Sequence, residues 1–151
     1  MLSDNVMIAR LALSFLVGGL IGLERQMHRR PAGLRTHILV CIGSCLIMLT
    51  SLYVFDIYKS EANIDPSRIA SGVITGIGFL GAGAIIRARE REAVKGLTTA
   101  ASLWVVAGLG LSIGCGLYSA SLFTTVLALI ALFFLARVER RALGKNECKD
   151  D

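Results

Sequence analysis

The chain has 151 residues, 54% of them hydrophobic and only 18% charged, with a mean hydropathy of +0.67. A soluble domain of this size cannot cover its surface with so few polar groups, and the charges stand in short clusters between long uncharged runs, as lipid imposes on a spanning chain. The net charge of +5 lies beside those runs, with no separate basic domain and no interleaved aromatic platform. This points to anionic lipid headgroups as partners and away from nucleic acid.

The first apolar stretch, 5–23, holds Arg10 as its one charge. With Asp4 before it and no basic cluster, it reads as a retained span rather than a cleavable signal. The runs 36–55 and 69–86 are uncharged and near the ~20 residues a spanning helix needs. The run 96–136 is uncharged over 41 residues, about 60 Å of helix and twice the hydrocarbon thickness, so it must turn back. Gly110, Gly114 and Gly116 mark the turning region and divide the run into 97–116 and 119–136.

Arg25, Arg29, Arg30 and Arg35 follow the first span. Arg87, Arg89, Arg91 and Lys95 follow the third, and Arg137, Arg140, Arg141, Lys145 and Lys149 the last. The other side carries only Lys59 and Arg68, beside Asp56, Glu61 and Asp65. The basic loops mark the cytoplasmic face. The expectation is therefore an all-α membrane protein, a bundle of five transmembrane helices over 1–136, N-terminus outside, with a charged cytoplasmic tail at 137–151. Four spans with a re-entrant third segment would set the second and third loops on one face, against the charge bias.

Gly76-Ile-Gly78-Phe-Leu-Gly81 matches the dinucleotide-binding pattern literally, but no second strand and helix follow it. Gly72 with Gly76, and Gly78 with Ala82, are four apart, as are Gly18 with Gly22 and Gly110 with Gly114. Small residues at that spacing let helices approach closely. The competing reading makes the Gly76–Gly83 segment a broken helix whose carbonyls line a polar cavity. Arg10, a charge inside a span, is either a functional residue or a structural anchor that snorkels to the outer interface or pairs with Asp56. Glu24 and Arg25 end the first span, and Arg35, Thr36 and His37 begin the second, after a turn at Pro31 and Gly33. Glu24 can then face Arg35 as an interfacial salt-bridge lock, or the group can receive a headgroup, ion or protein. Thr98 and Thr99 can cap the fourth span or hold an anionic group at its start. Trp104 stands deep for an interfacial anchor and can pack between helices.

Of the cysteines, Cys41, Cys45 and Cys115 lie in apolar runs and read as small packing residues. No catalytic set is recognisable, no carboxylate stands near the middle of a span, no cofactor is called for, and no metal ligands can be assigned.

Gly18-Gly-Leu-Ile-Gly-Leu-Glu-Arg25, Arg30-Pro-Ala-Gly-Leu-Arg-Thr-His37, Gly76-Ile-Gly-Phe-Leu-Gly-Ala-Gly83 and Gly96-Leu-Thr-Thr-Ala-Ala-Ser-Leu-Trp104 together resemble the MgtC/SapB family of bacterial inner-membrane proteins. The resemblance covers about residues 7–136. Its motif positions fall on Glu24, Arg25, Arg35, Thr36, His37, Gly76, Gly78, Gly81, Thr98 and Trp104. It implies a multi-pass protein linked to magnesium limitation and stress adaptation, acting on other membrane machinery. Longer members carry a soluble C-terminal domain after the spans, and its functions do not carry over. The reading is thus a non-catalytic modulator of ion or energy homeostasis, a homodimer through its glycine-rich faces, with another membrane protein as a further partner. The alternative is a small magnesium or other ion transporter using the Gly76–Gly83 segment.

Overall fold

The computed structural model describes residues 2–60, 65–87 and 96–135. All regular structure among them is helical: α1 (Asp4–Met27), α2 (Leu34–Tyr58), α3 (Ser67–Arg87), α4 (Leu97–Cys115) and α5 (Tyr118–Ile130), which runs on into a π-helical turn over Ala131–Leu135. Four of these, α1 to α4, are long and apolar enough to cross a membrane; the apolar helix that begins at Tyr118 is shorter. Each of the five helices overlaps one of the five expected spans. Arg89, Arg91, Lys95, Glu61, the tail from 137 and the final residue of the fifth expected span lie outside the described residues.

The connections follow from local chemistry. α4 ends in a Schellman motif: Gly116 adopts φ 94, its N–H donates to Ile113 O at 3.0 Å, and Leu117 N–H donates to Ser112 O at 2.9 Å. Glycine reaches the left-handed region at no steric cost, so the long apolar run reverses there. α1 ends in the same hydrogen-bond pattern, Arg29 N–H to Gln26 O and Arg30 N–H to Arg25 O, with Arg29 itself at φ 51. Asp65 accepts a hydrogen bond from Ser67 N–H at 2.8 Å and so caps the start of α3.

Paired contacts give the helix directions. Gly18 lies against Cys41 and Gly22 against Leu34 and His37, so α1 and α2 are antiparallel. Gly110 lies against Ser44 and Gly114 against Met48, so α4 runs parallel to α2. Gly96 packs on Ala84, which closes an antiparallel α3–α4 hairpin. Arg10 meets Tyr118 while Arg25 meets Leu132, so α5 runs beside α1 in the same direction. The chain therefore alternates up and down at every helix.

The centre is a three-helix unit of α1, α2 and α4 around Val17, Ile21, Cys41, Cys45, Leu49, Val106, Leu109 and Ile113. Most of its other buried residues are small or polar, among them Ser14, Ser44, Thr99, Ser102, Gly18, Gly22, Gly110 and Gly114. Large apolar residues such as Phe15, Leu16, Leu39 and Phe79 (81% exposed) point outward. In water so continuous an apolar surface would drive association; in lipid it costs nothing, and small residues between helices provide the packing.

α3 packs on one side of this unit, with Ile77 buried against Leu103 and Ala107 of α4. It is one unbroken α-helix from Ser67 to Arg87, so the Gly76–Gly83 segment does not expose its carbonyls as a broken helix would. A Cβ at Gly72, Gly76, Gly78 or Gly83 would meet nothing within 4 Å in this chain, and only Gly81 of the set touches α4, at Ala100.

Candidate functional site

A cluster of buried polar side chains sits where the C-terminal ends of α1 and α5 meet the N-terminal ends of α2 and α4. Glu24, Arg25, His37, Thr99 and Ser102 are each under a tenth exposed. Arg25 Nε donates to Glu24 Oε2, and its other end reaches Leu132 O at 3.4 Å. The same arginine thus holds the carboxylate and ties the end of α5 to α1. His28 stands beside the pair: its Nδ1 donates to Glu24 O at 2.9 Å, lies 3.1 Å from Glu24 Oε1, and its ring meets Phe133 edge-on. Glu24 Oε1 is buried with no hydrogen bond of good geometry. The His28 contact is a charge contact at most, because the ring nitrogen is aimed at the carbonyl.

His37 is fully buried. Its Nδ1 lies 2.9 Å from Gly33 O and its Nε2 3.0 Å from Ser102 Oγ, across the α2–α4 boundary. A carbonyl only accepts, so Nδ1 carries a hydrogen. Ser102 Oγ also lies 2.8 Å from Thr99 O. When Ser102 donates its single hydrogen to Thr99, Nε2 must be the donor and the ring an imidazolium. When the ring is neutral, Ser102 turns its hydrogen to Nε2. The two arrangements differ by one proton and one hydroxyl rotation. Glu24 and Arg25 lie close enough to act on this ring electrostatically.

Only some of the residues marked in the sequence meet here. Glu24, Arg25, His37 and Thr99 do; Arg35, Thr36 and Thr98 are exposed on the outside of their helices. Glu24 does not face Arg35: its partners, Arg25 and His28, come from its own helix, while Arg35 is exposed. Nor do Thr98 and Thr99 cap α4, whose N-cap is Gly96 with no side-chain hydrogen bond. Trp104 is 55% exposed and packs on no helix interior of this chain. Arg10 neither snorkels nor pairs with Asp56. It is nine-tenths buried, donates from Nε to Tyr118 OH at 2.9 Å and from Nη1 to Gly114 O at 2.7 Å, and lies over the Tyr118 ring. Asp56 pairs with Lys59.

His28, Ser102 and Ser14 were not marked in the sequence. The signal for two of them is helical spacing: Ser14 follows Arg10 by four residues and leads to Gly18, and Ser102 follows Thr99 by three, so each continues a face already known to look inward. Among the described residues no group of three or more His, Cys, Asp or Glu is placed to hold a metal ion.

The chain is 43% identical to Escherichia coli K12 YhiD over 141 residues, which cover 92% of this chain and 65% of that protein. It is 37% identical to Bacillus subtilis SapB, over 91% of this chain and 60% of the relative. With Salmonella typhimurium LT2 MgtC the identity is 41%, over 89% and 54%. The chain thus spans between about half and two thirds of the length of these relatives. No solved structure matches it. The sequence profile of the MgtC family matches residues 11–141, and with it and the apolar helices the chain belongs to the MgtC family of multi-pass membrane proteins.

Proposed function

We propose that this protein crosses the bacterial inner membrane five times, N-terminus outside, and modulates ion or energy homeostasis under magnesium limitation without catalysing a reaction or conducting an ion. The Escherichia coli relative YhiD bears a name that associates it with magnesium transport, which supports the magnesium link. The fifth span is supported by the path of α5, which accompanies α1 from the level of Arg10 to that of Arg25, about 22 Å along a helix. The orientation is supported by Arg29, Arg30 and Arg35, exposed at the end that holds Glu24. Anionic headgroups are their partners there.

The observation that carries the non-conducting reading is the closed polar cluster over a glycine-tight core. Glu24 is held by Arg25, itself only 2% exposed, and beneath them α1, α2 and α4 leave no room for a Cβ at Gly18, Gly110 or Gly114. A hydrated cation needs a wider path. The open glycine face of α3 is the surface we assign to a second copy of the chain or to another membrane protein.

The test is magnesium flux. Purified protein in proteoliposomes is expected to admit no more magnesium than protein-free vesicles. In magnesium-limited cells it should shift membrane potential and ATP level, and Glu24→Ala should abolish that shift. Magnesium entry into the proteoliposomes that disappears in Glu24→Ala would overturn the proposal.

A further inference from the structure

At the opposite end of the bundle, α1, α2 and the end of α4 line a half-open cavity of about 380 Å³. Its walls include Met7, Leu49 and Leu52; Arg10, Asp56 and Cys115 also line it. Arg10 is 9% exposed, and a guanidinium carries five N–H donors. One goes to Tyr118 OH and one to Gly114 O. The other three, two on Nη2 and one on Nη1, meet no acceptor among the described residues. Nη2 lies against the turn, so close to Gly116 that a Cβ there would stand 2.9 Å from it. Asp56 on the cavity wall is paired with Lys59, which leaves the guanidinium as the charge to be met.

These remaining donors open on the cavity, where a ligand can meet them. A planar guanidinium matches two oxygens of one phosphate or carboxylate. We propose that this cavity is an anion site, in which Arg10 binds the phosphate oxygens of a ligand whose apolar portion lies on Met7, Leu49 and Leu52. Arg10 is six residues along α1 from Asp4, about 9 Å of helix, within reach of a lipid headgroup at the outer interface. The phosphate is supplied either by a phospholipid or by a soluble phosphate compound.

Cys115 provides the readout. It is a free, exposed thiol on the cavity wall, whereas Cys41 and Cys45 are fully buried. In the full chain carrying Cys148→Ser, purified in a neutral, phosphate-free detergent, maleimide labelling of Cys115 is timed in the presence of dioctanoyl phosphatidylglycerol, inorganic phosphate or dioctanoylglycerol. At ten times its dissociation constant a bound ligand slows labelling about tenfold. Slowing by the phosphatidylglycerol alone identifies a lipid site; slowing by inorganic phosphate identifies a soluble anion. Dioctanoylglycerol, with the same chains and no phosphate, should have no effect. Arg10→Gln should abolish the slowing. Because Arg10 also ties α1 to α4 and α5, Met7→Glu is the second variant: it sets a carboxylate one turn from Arg10, keeps the arginine and should also abolish the slowing. Labelling unaffected by either phosphate ligand, slowed equally by dioctanoylglycerol, or slowed undiminished in Met7→Glu would overturn the site.

Discussion

The two halves of this bundle use glycine in opposite ways. In α1 and α4 glycines face α2 and let backbones touch: a Cβ at Gly18 would stand 2.8 Å from Cys41 Cβ, and one at Gly114 would stand 2.7 Å from Met48 Cβ. In α3 the glycines at 72, 76, 78 and 83 face open space within the chain. The spacing is the same in both cases and only the surroundings differ. In a membrane, where apolar surface gains nothing by leaving lipid, close backbone approach is the main source of helix association. The first set therefore holds the protomer together, and the second is available for association with something else.

The largest expected effect tests this contrast directly. Gly110→Leu would drive a side chain into Cys41 O and Ser44 Cβ. Both belong to a helix packed on two sides, and the expected cost exceeds about 3 kcal/mol, read as loss of folded protein on detergent size-exclusion chromatography. Gly76→Leu meets nothing within 4 Å, so the protomer should fold as before, while association of copies, if α3 is the dimer face, should be lost. A Gly76→Leu protein that fails to fold, or a Gly110→Leu protein that folds normally, breaks the comparison.

The polar cluster ranks next. Removing Glu24 leaves Arg25 buried without its carboxylate, and breaking a buried pair from one side costs about 3–5 kcal/mol. Glu24→Ala is expected to lower thermal stability in detergent by that order and to free the end of α5 from α1, since Arg25 also holds Leu132 O. Glu24→Leu combined with Arg25→Met should recover much of the loss, because no charge is then left unpaired. A double variant as unstable as the single one would mean that the ends of the helices, not the ion pair, set the cost.

Much of this arrangement was legible in the sequence, for physical reasons that also mark the limit. Uncharged runs locate the helices because lipid excludes charge, and the 41-residue run had to fold back because it is too long to span once. Gly116, the residue that makes the reversal, stood in the expected turn. Glycine spacing shows which residues share a helix face but not what that face looks at, so the α3 stripe could not be told from those on α1 and α4. The Glu24–Arg25 pair was hidden because adjacent residues on a regular helix do not face one another. It forms near the end of α1, where both side chains are buried and Arg25 reaches Leu132 O. Arg10 was misassigned for a related reason: Asp56 is the nearest opposite charge in the topology, yet the α4–α5 turn brings a carbonyl and a phenol closer.

The smallest expected effect sharpens the comparison at the start of α3. Asp65 is exposed, and the hydrogen bonds from Ser67 hold its carboxyl below the usual aspartate value. A depressed pKa in the folded state means that the ionised group favours the fold. That contribution is complete above the ordinary aspartate pKa and is lost as pH falls through the depressed one. Acidification through that range should therefore loosen the first turn of α3, and hydrogen exchange at Ser67 and the amides just after it should rise. Amides of the α1–α2–α4 unit, such as those at Cys41, Val106 and Ile113, should keep their protection, because α3 touches that unit along one side only and its end can fray without opening the core. Asp65→Ala, which removes the accepting oxygen, should show fast exchange in the first turn of α3 already at neutral pH and little further change on acidification. If instead core protection falls together with that of the first turn, α3 is a full member of the cooperative unit, and the division of the protomer into a tight trio and an outlying helix is wrong.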